Sequence, residues 1–422
     1  MMLMKLEPDR KEYGKSYYLI IALIGVLLSI FWCKLIKTEP FSDFKYYYEL
    51  ARSISQGKPW GDTYTTVGYP IVLGGIFKVF GDSLFIAKTF NLILILLNYY
   101  LAYSILNKLD VKEKLRKVIF TIFIFFPLNI MYSSVLATEP LFTTILLLIT
   151  NIYFSKTKFK YIYIGILTAM NAMIKPFFII FFFAILIIDA IGEWNIKKAI
   201  INSLTVLIIS LLCISPWIYR NTKYAGELTF ISNNGGIVLY INNNSQNKTG
   251  MWMDVNDVEN SVAKTEEYKN ANMTQKNKML TKAAKKWIKD NPKRFVELGL
   301  LRLGVTYGLA DDTYYTTYGS DVNASAKYNI CKSITGVKAC IFLVGIIFAL
   351  LYSIYIIVDI FKNRGRNIDK GLLYTLVTFY MFTCVYFITE GQGRYSFPLI
   401  FFMIYLSATC IEHLFRLRNK SL

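Results

Sequence analysis

Residues 17–36 read Tyr-Tyr-Leu-Ile-Ile-Ala-Leu-Ile-Gly-Val-Leu-Leu-Ser-Ile-Phe-Trp-Cys-Lys-Leu-Ile, twenty residues with one charge. At about 1.5 Å of rise per residue, such a run spans the roughly 30 Å hydrocarbon layer of a bilayer as a helix. The run is long for a signal peptide, and no small-x-small site follows it. Phe31 and Trp32 precede Cys33 where a lipoprotein site needs small residues, so the expectation is an uncleaved spanning helix.

Nine further apolar runs follow: 84–106, 118–134, 140–154, 161–174, 176–191, 199–218, 337–361, 372–388 and 395–415. Together they predict an all-α polytopic membrane protein of about ten transmembrane helices. The whole chain of 422 residues agrees, with 55% hydrophobic and 18% charged residues. That balance excludes a plain soluble enzyme and a disordered chain. Six cysteines make no disulfide framework. The single histidine, His413, excludes sites that need two imidazoles. The net charge of +19 is read as loop and headgroup charge, with no nucleic-acid partner.

The basic residues set the orientation. Lys108, Lys112, Lys114, Arg116 and Lys117 fall in one short loop, and Lys156, Lys158 and Lys160 in another. Lys197–Lys198, Lys362–Lys370 and the tail residues Arg416, Arg418 and Lys420 fall on the same side if ten crossings are counted. By the positive-inside rule that side is cytoplasmic, and both termini lie there. The turns at 133–139 and 389–394 then face outward, with two long segments, 37–83 and 219–336. The expected division is an N-terminal bundle (1–219, including the outward loop 37–83), an extracytoplasmic insert (220–336) and C-terminal spans (337–422).

The outward segments carry the polar chemistry. Phe44, Tyr47, Tyr48 and Ala51 recur at helical spacing, so a surface helix is expected with Ser42 or Asp43 as its N-cap. Gly68-Tyr69-Pro70 reads as a turn. Glu139 sits beside Pro140 between apolar runs, where a carboxylate needs a partner or a task. Lys175, before Pro176, is a lone cation between aromatic-rich runs. Arg220 follows Trp217 and Tyr219 at an interface, and its planar fork suits a lipid phosphate. In the insert, 237–241 reads as extended, and the insert as mixed in structure. Residues 274–290 read as a basic amphipathic helix that lies on a membrane or covers a groove. Residues 295–309 are apolar but short and hold Glu297 and Arg302, so no crossing is expected there. Glu390-Gly-Gln-Gly-Arg394 forms a final turn in which Glu390 and Arg394 could pair with each other.

The order of these features resembles the bacterial GT-C glycosyltransferases. The residues that carry the likeness are Ser42-Asp43, Gly68-Tyr69-Pro70, Thr138-Glu139-Pro140, Lys175-Pro176, Pro216-Trp217 with Arg220-Asn221, Asn233-Asn234-Gly235, Asn291-Pro292 with Phe295 and Arg302, and Gly393-Arg394-Tyr395 with Pro398. The group related to protein O-mannosyltransferases and lipid A aminoarabinose transferases is the most similar. The resemblance implies an enzyme of the cell membrane that takes a sugar from a polyprenyl-phosphate donor, at the outer face, to an acceptor with inversion. It implies catalytic roles for Asp43 and Glu139. Phe44 stands where the mannosyltransferases often have a second acid, and Lys175 where an arginine is common. The chemistry agrees: a phosphate leaving group needs cations, and Lys175, Arg220 and Arg394 lie at the outer level. The acceptor hydroxyl needs a base, and Asp43 and Glu139 are on offer. Tyr46, Tyr69, Glu390 and Tyr395 are expected to line the pocket. Partners are the lipid-linked donor, membrane lipids and an unassigned acceptor: glycolipid, cell-wall polymer or protein. No cofactor is assigned, and a divalent cation is the open candidate, with Asp43 and Glu139 as its ligands. A lipid or sugar transporter is the alternative; transporters place ionisable groups near the midplane, often in repeated halves.

Overall fold

In lipid every backbone polar group must be satisfied internally, so apolar runs of this length fold as helices. The computed structural model describes residues 8–309 and 313–421. Residues 1–7 and the side chains of Arg416, Arg418 and Lys420 lie outside the described residues, and with them part of the expected basic tail. Among the described residues every regular element is helical. The first half holds α1 (Pro8–Ile36), α2 (Ser42–Ser55), α3 (Gly68–Phe80), α4 (Leu84–Lys108), α5 (Glu113–Ile124), α6 (Pro127–Met131), α7 (Glu139–Tyr153), α8 (Lys160–Ile174), α9 (Phe181–Glu193) and α10 (Ile196–Ala225). The insert holds α11 (Gly235–Asn242), α12 (Glu266–Asn270), α13 (Met273–Asp290), α14 (Pro292–Gly304) and α15 (Thr313–Thr317). The chain returns through α16 (Ala324–Asn363), α17 (Lys370–Ile388) and α18 (Ile400–Ser421).

Among the described residues, seven helices are long and apolar enough to cross a membrane. An eighth forms if α5 and the helical stretch from Pro127 to Ser134, bent by 52°, are one span. Pro127 explains the bend, since its ring disfavours helix at the residue before it. The other two of the ten expected spans fall on α7 and α8. α7 and α8 are helical where expected but have 15 residues each, so they are only about 22 Å long. α8 stops because Pro176 forces Lys175 into extended geometry, with φ −135° and ψ 104°.

α10 packs on α8 and α9, α4 on α7, and both α5 and α16 on α18. The short basic loops gather at one end of the bundle: Lys160 donates to the Tyr153 carbonyl, Lys198 pairs with Glu193, and a side chain at Gly371 would meet Leu109 and Tyr405. The insert covers the other end.

Two local expectations are corrected. Residues 237–241 are helical within α11, because their apolar side chains pack on α13, with Tyr240, Val258, Leu280 and Ala284 forming a small core. Tertiary packing overrides the β propensity of Ile and Val. α13 spends its apolar face on that core, so it covers α11 and keeps its lysines on the outside. Gly68-Tyr69-Pro70 opens α3 in place of a turn, and the glycine is needed for contact: a Cβ there would lie 2.6 Å from the Met173 carbonyl carbon.

Candidate active site

α2 begins without a side-chain cap. Its N-cap position is Phe41, and neither Ser42 nor Asp43 caps the helix. Ser42 has φ 47°, in the left-handed region that favours glycine. Non-glycine residues are held there at a cost of order 1–3 kcal/mol, and such strain clusters at functional sites. The Asp43 carboxylate is thereby free for another partner. Arg394 Nη2 donates to its Oδ2 at 3.0 Å.

Arg394 comes from the start of a 3₁₀ segment (Gly393–Leu399) that leads into α18. Its Nε donates to Gln392 Oε1 at 2.8 Å and lies 4.0 Å from Glu139 Oε1. One guanidinium thus links two carboxylates from chain positions 43 and 139. Phe44, Tyr315 and Tyr395 present ring faces to it, with centroids 5.2, 5.5 and 5.6 Å away. These faces hold the cation by its charge and by ring contact.

Glu139 opens α7 and is fully buried. Lys175 Nζ, at the broken end of α8, donates to Glu139 Oε1 at 3.1 Å and lies 4.8 Å over the Tyr395 ring. Thr138 Oγ1 donates to Oε2 at 3.3 Å. The α7 N-terminus also favours the negative charge. Burial is graded along the cluster: the Glu139 side chain is closed off, Arg394 and Lys175 are 11% and 15% exposed, and Asp43 is 55% exposed. The charges alternate from the interior outward, ending on a carboxylate that solvent and solutes reach.

Glu390 and Arg394 are joined through Gln392. Gln392 Nε2 donates to Glu390 Oε1 at 2.9 Å, and Tyr395 Oη donates to Glu390 Oε2 at 2.7 Å. The turn that carries them is held from behind by Arg302, which is fully buried. Arg302 donates to the carbonyls of Phe387 and Asn242 and to Asn243 Oδ1. Burial pulls its guanidinium down to about 10. Gly391 allows the turn to rest on this arginine, since a Cβ would lie 2.7 Å from Arg302 Cα.

Of the sequence-predicted residues, Asp43, Glu139, Lys175, Glu390, Arg394 and Tyr395 meet in this one cluster. Tyr69 is buried beneath it, its ring 6.0 Å from that of Tyr47, and its hydroxyl has no partner among the described residues. Tyr46 is 38% exposed on α2, with its ring 6.2 Å from Tyr47; burial pushes the Tyr47 phenol up. Arg220 is not brought into the cluster. Its guanidinium donates to the carbonyls of Gly61 and Asp62 and lies over Trp217 and Tyr224 at 4.8 and 5.2 Å. Sequence reasoning missed Gln392, Thr138 and Tyr315. The dense run Tyr314-Tyr315-Thr-Thr-Tyr318 was the available signal for the last.

Asp43 and Glu139 do not fit a shared divalent cation. Arg394 lies between them, and Lys175 and Thr138 hold the remaining Glu139 oxygens. Among the described residues no three His, Cys, Asp or Glu side chains gather as a metal set.

No family model matches the chain, and no curated protein matches it in sequence. In structure it is similar to the Archaeoglobus fulgidus oligosaccharyltransferase, solved with a tethered acceptor peptide, with a TM-score of 0.50 and 12% identity. The match covers 94% of this chain and 50% of that one, so the chain spans about half the length of the protein it resembles. At this identity the likeness is one of fold alone.

Proposed function

We propose that this GT-C-like membrane protein is a glycosyltransferase that moves a sugar from a polyprenyl-phosphate donor to an acceptor outside the cytoplasm. One observation carries the reading. A single guanidinium, Arg394, reaches an exposed carboxylate and a buried one, with a second cation, Lys175, on the buried one. Four separate segments converge to build this at the insert end of the bundle. The position of the basic loops at the opposite end supports an extracytoplasmic site with both termini cytoplasmic.

The donor phosphate docks against Arg394 and Lys175 through N–H groups that the carboxylates leave unused. Charge-assisted bonds of this kind are worth about 1.5–3 kcal/mol each. Asp43 keeps Oδ2 on Arg394 and offers Oδ1 to the acceptor hydroxyl. The acceptor oxygen attacks the anomeric carbon as its proton passes to Asp43. The bond from that carbon to the phosphate oxygen breaks, and the electron pair leaves on polyprenyl phosphate, with inversion at the anomeric carbon. The cations stabilise the leaving charge in place of a general acid. Glu139 fixes both cations from below, and Arg220 holds the Gly61–Asp62 loop beside them.

The test is incubation of the purified protein with a panel of polyprenyl-phosphate sugars and detection of released polyprenyl phosphate. Release that depends on Asp43 supports the reading. A transporter would bind such lipids without splitting them, and absence of release across the panel would sink the proposal.

A further inference from the structure

Beside the ion cluster lies a recess of about 450 Å³ lined by Tyr314, Thr317, Tyr318, Lys327, Tyr328 and Cys331. Tyr314 and Tyr328 are 57% and 66% exposed. Tyr314 lies in α15 and Tyr318 just past its end. They are backed by Phe41: the Tyr318 ring stacks on it at 4.0 Å, and the Tyr314 ring meets it edge-on at 5.2 Å. Two walls are therefore rigid aromatic surfaces that lose little freedom when a ligand binds. The volume is that of a small-ligand site, and the lining mixes apolar faces with a few polar groups.

A row of packed rings links the recess to the candidate active site. Phe41 meets Phe44 at 5.6 Å, Phe44 faces Arg394, and these two phenylalanines flank Asp43 in sequence. Tyr315, the neighbour of Tyr314, also presents its ring to Arg394.

We propose that this tyrosine recess binds a sugar ring of the acceptor, so that the acceptor is a saccharide or a molecule carrying one. The inference rests on the transferase reading and deepens it. A pyranose has one face of C–H groups, which packs on a tyrosine ring, and a rim of hydroxyls, which bond to threonine, lysine and phenolic oxygens. The competing occupants fit less well. A prenyl chain belongs in hydrocarbon. α16 has 40 residues and is about 60 Å long, twice the hydrocarbon thickness, and Lys327, Tyr328 and Cys331 precede its apolar stretch. A peptide that binds by adding a strand needs a free sheet edge, and there is no strand edge among the described residues.

The test uses the full chain in detergent and saturation-transfer NMR with three probes: chitotetraose, a neutral tetrapeptide and geranylgeraniol. The expected result is transfer to the ring-face protons of the saccharide, about tenfold weaker in Tyr328→Ala and retained in Tyr328→Phe. In the sugar-transfer assay Tyr328→Ala raises the acceptor KM and leaves kcat and the slow hydrolysis of donor by water unchanged. Intact donor hydrolysis without saccharide binding would overturn this inference alone, whereas absent hydrolysis tells against the transferase reading itself. Preferential binding of the peptide or the prenyl alcohol, or equal saccharide binding by Tyr328→Ala, would also overturn the inference.

Discussion

Two buried carboxylates sit at opposite ends of this bundle, and the chain satisfies them differently. Asp189, 1% exposed near the end of α9, accepts from Tyr153, Tyr161 and Asn202, each at 2.7 Å. All three donors are neutral, and all come from packed helix ends. Glu139, fully buried at the start of α7, is held by cations, and one of those cations extends to a solvent-exposed carboxylate. The first arrangement closes on itself: every donor is used, and nothing faces outward. The second is a chain of alternating charge whose cations have N–H groups left for a further anion. Burial of a carboxylate is thus no sign of function by itself; the charge and reach of its partners decide.

The largest effect is expected at the open end of that chain. Asp43→Asn removes the proposed base, and turnover should fall by about 10²–10⁴-fold. Thermal stability should hold, because the Asp43 side chain caps no helix. Near-normal release of polyprenyl phosphate at matched protein level would erase the chemical side of the comparison. Next comes Asp189→Ala, which strands three buried donors. Its expected cost is about 2–4 kcal/mol of stability, with turnover of the folded fraction unchanged. A thermal melt and an assay on the surviving fraction check both halves. Lost activity in a fully stable variant would make the closed end functional.

Arg394→Ala should weaken donor affinity or kcat/KM by about 10- to 150-fold. A double-mutant cycle with Glu139→Gln sharpens the point, since coupled residues of one network give non-additive losses. Strict additivity would separate them. Gln392→Ala, which removes the neutral link between Arg394 and Glu390, should cost only about 0.5–1.5 kcal/mol in turnover. Finally, in a background lacking the six native cysteines, a membrane-impermeant thiol reagent applied from outside should label Lys285→Cys and spare Arg366→Cys. The reverse pattern would place the open cluster in the cytoplasm and remove the need for a lipid-linked donor.

The helices were legible because hydrocarbon leaves the backbone few choices. All ten apolar runs are helical, and two of them, α7 and α8, are short for a full span. Pro127 and Pro176 act on geometry, and a hydrophobic count does not see them. At the site, Asp43, Glu139, Lys175 and Arg394 were visible as ionisable residues stranded at the outer ends of apolar runs. Their pairing was not visible, since it depends on how α2, α7, α8 and the 393–399 turn meet. Arg220 shows the limit of the same reasoning: it has the residue type and the level of a phosphate ligand, yet nearby carbonyls hold its guanidinium. Helix α11 was misread because β-branched residues look extended until the α13 face that covers them is known.

Hydrophobic mismatch follows from α7 and α8. Both start or stop at the ion cluster, and at 15 residues they fall about 8 Å short of the hydrocarbon thickness. Their other ends lie at the level of the basic loops, so in the proposed orientation Glu139 and Lys175 would sit in a depression of the outer surface. On the transferase proposal, a donor lipid then need not rise out of its leaflet for its headgroup to be cleaved. Its phosphate sinks toward the cations while its chain stays in oil, and thicker bilayers should slow the protein where thinner ones do not.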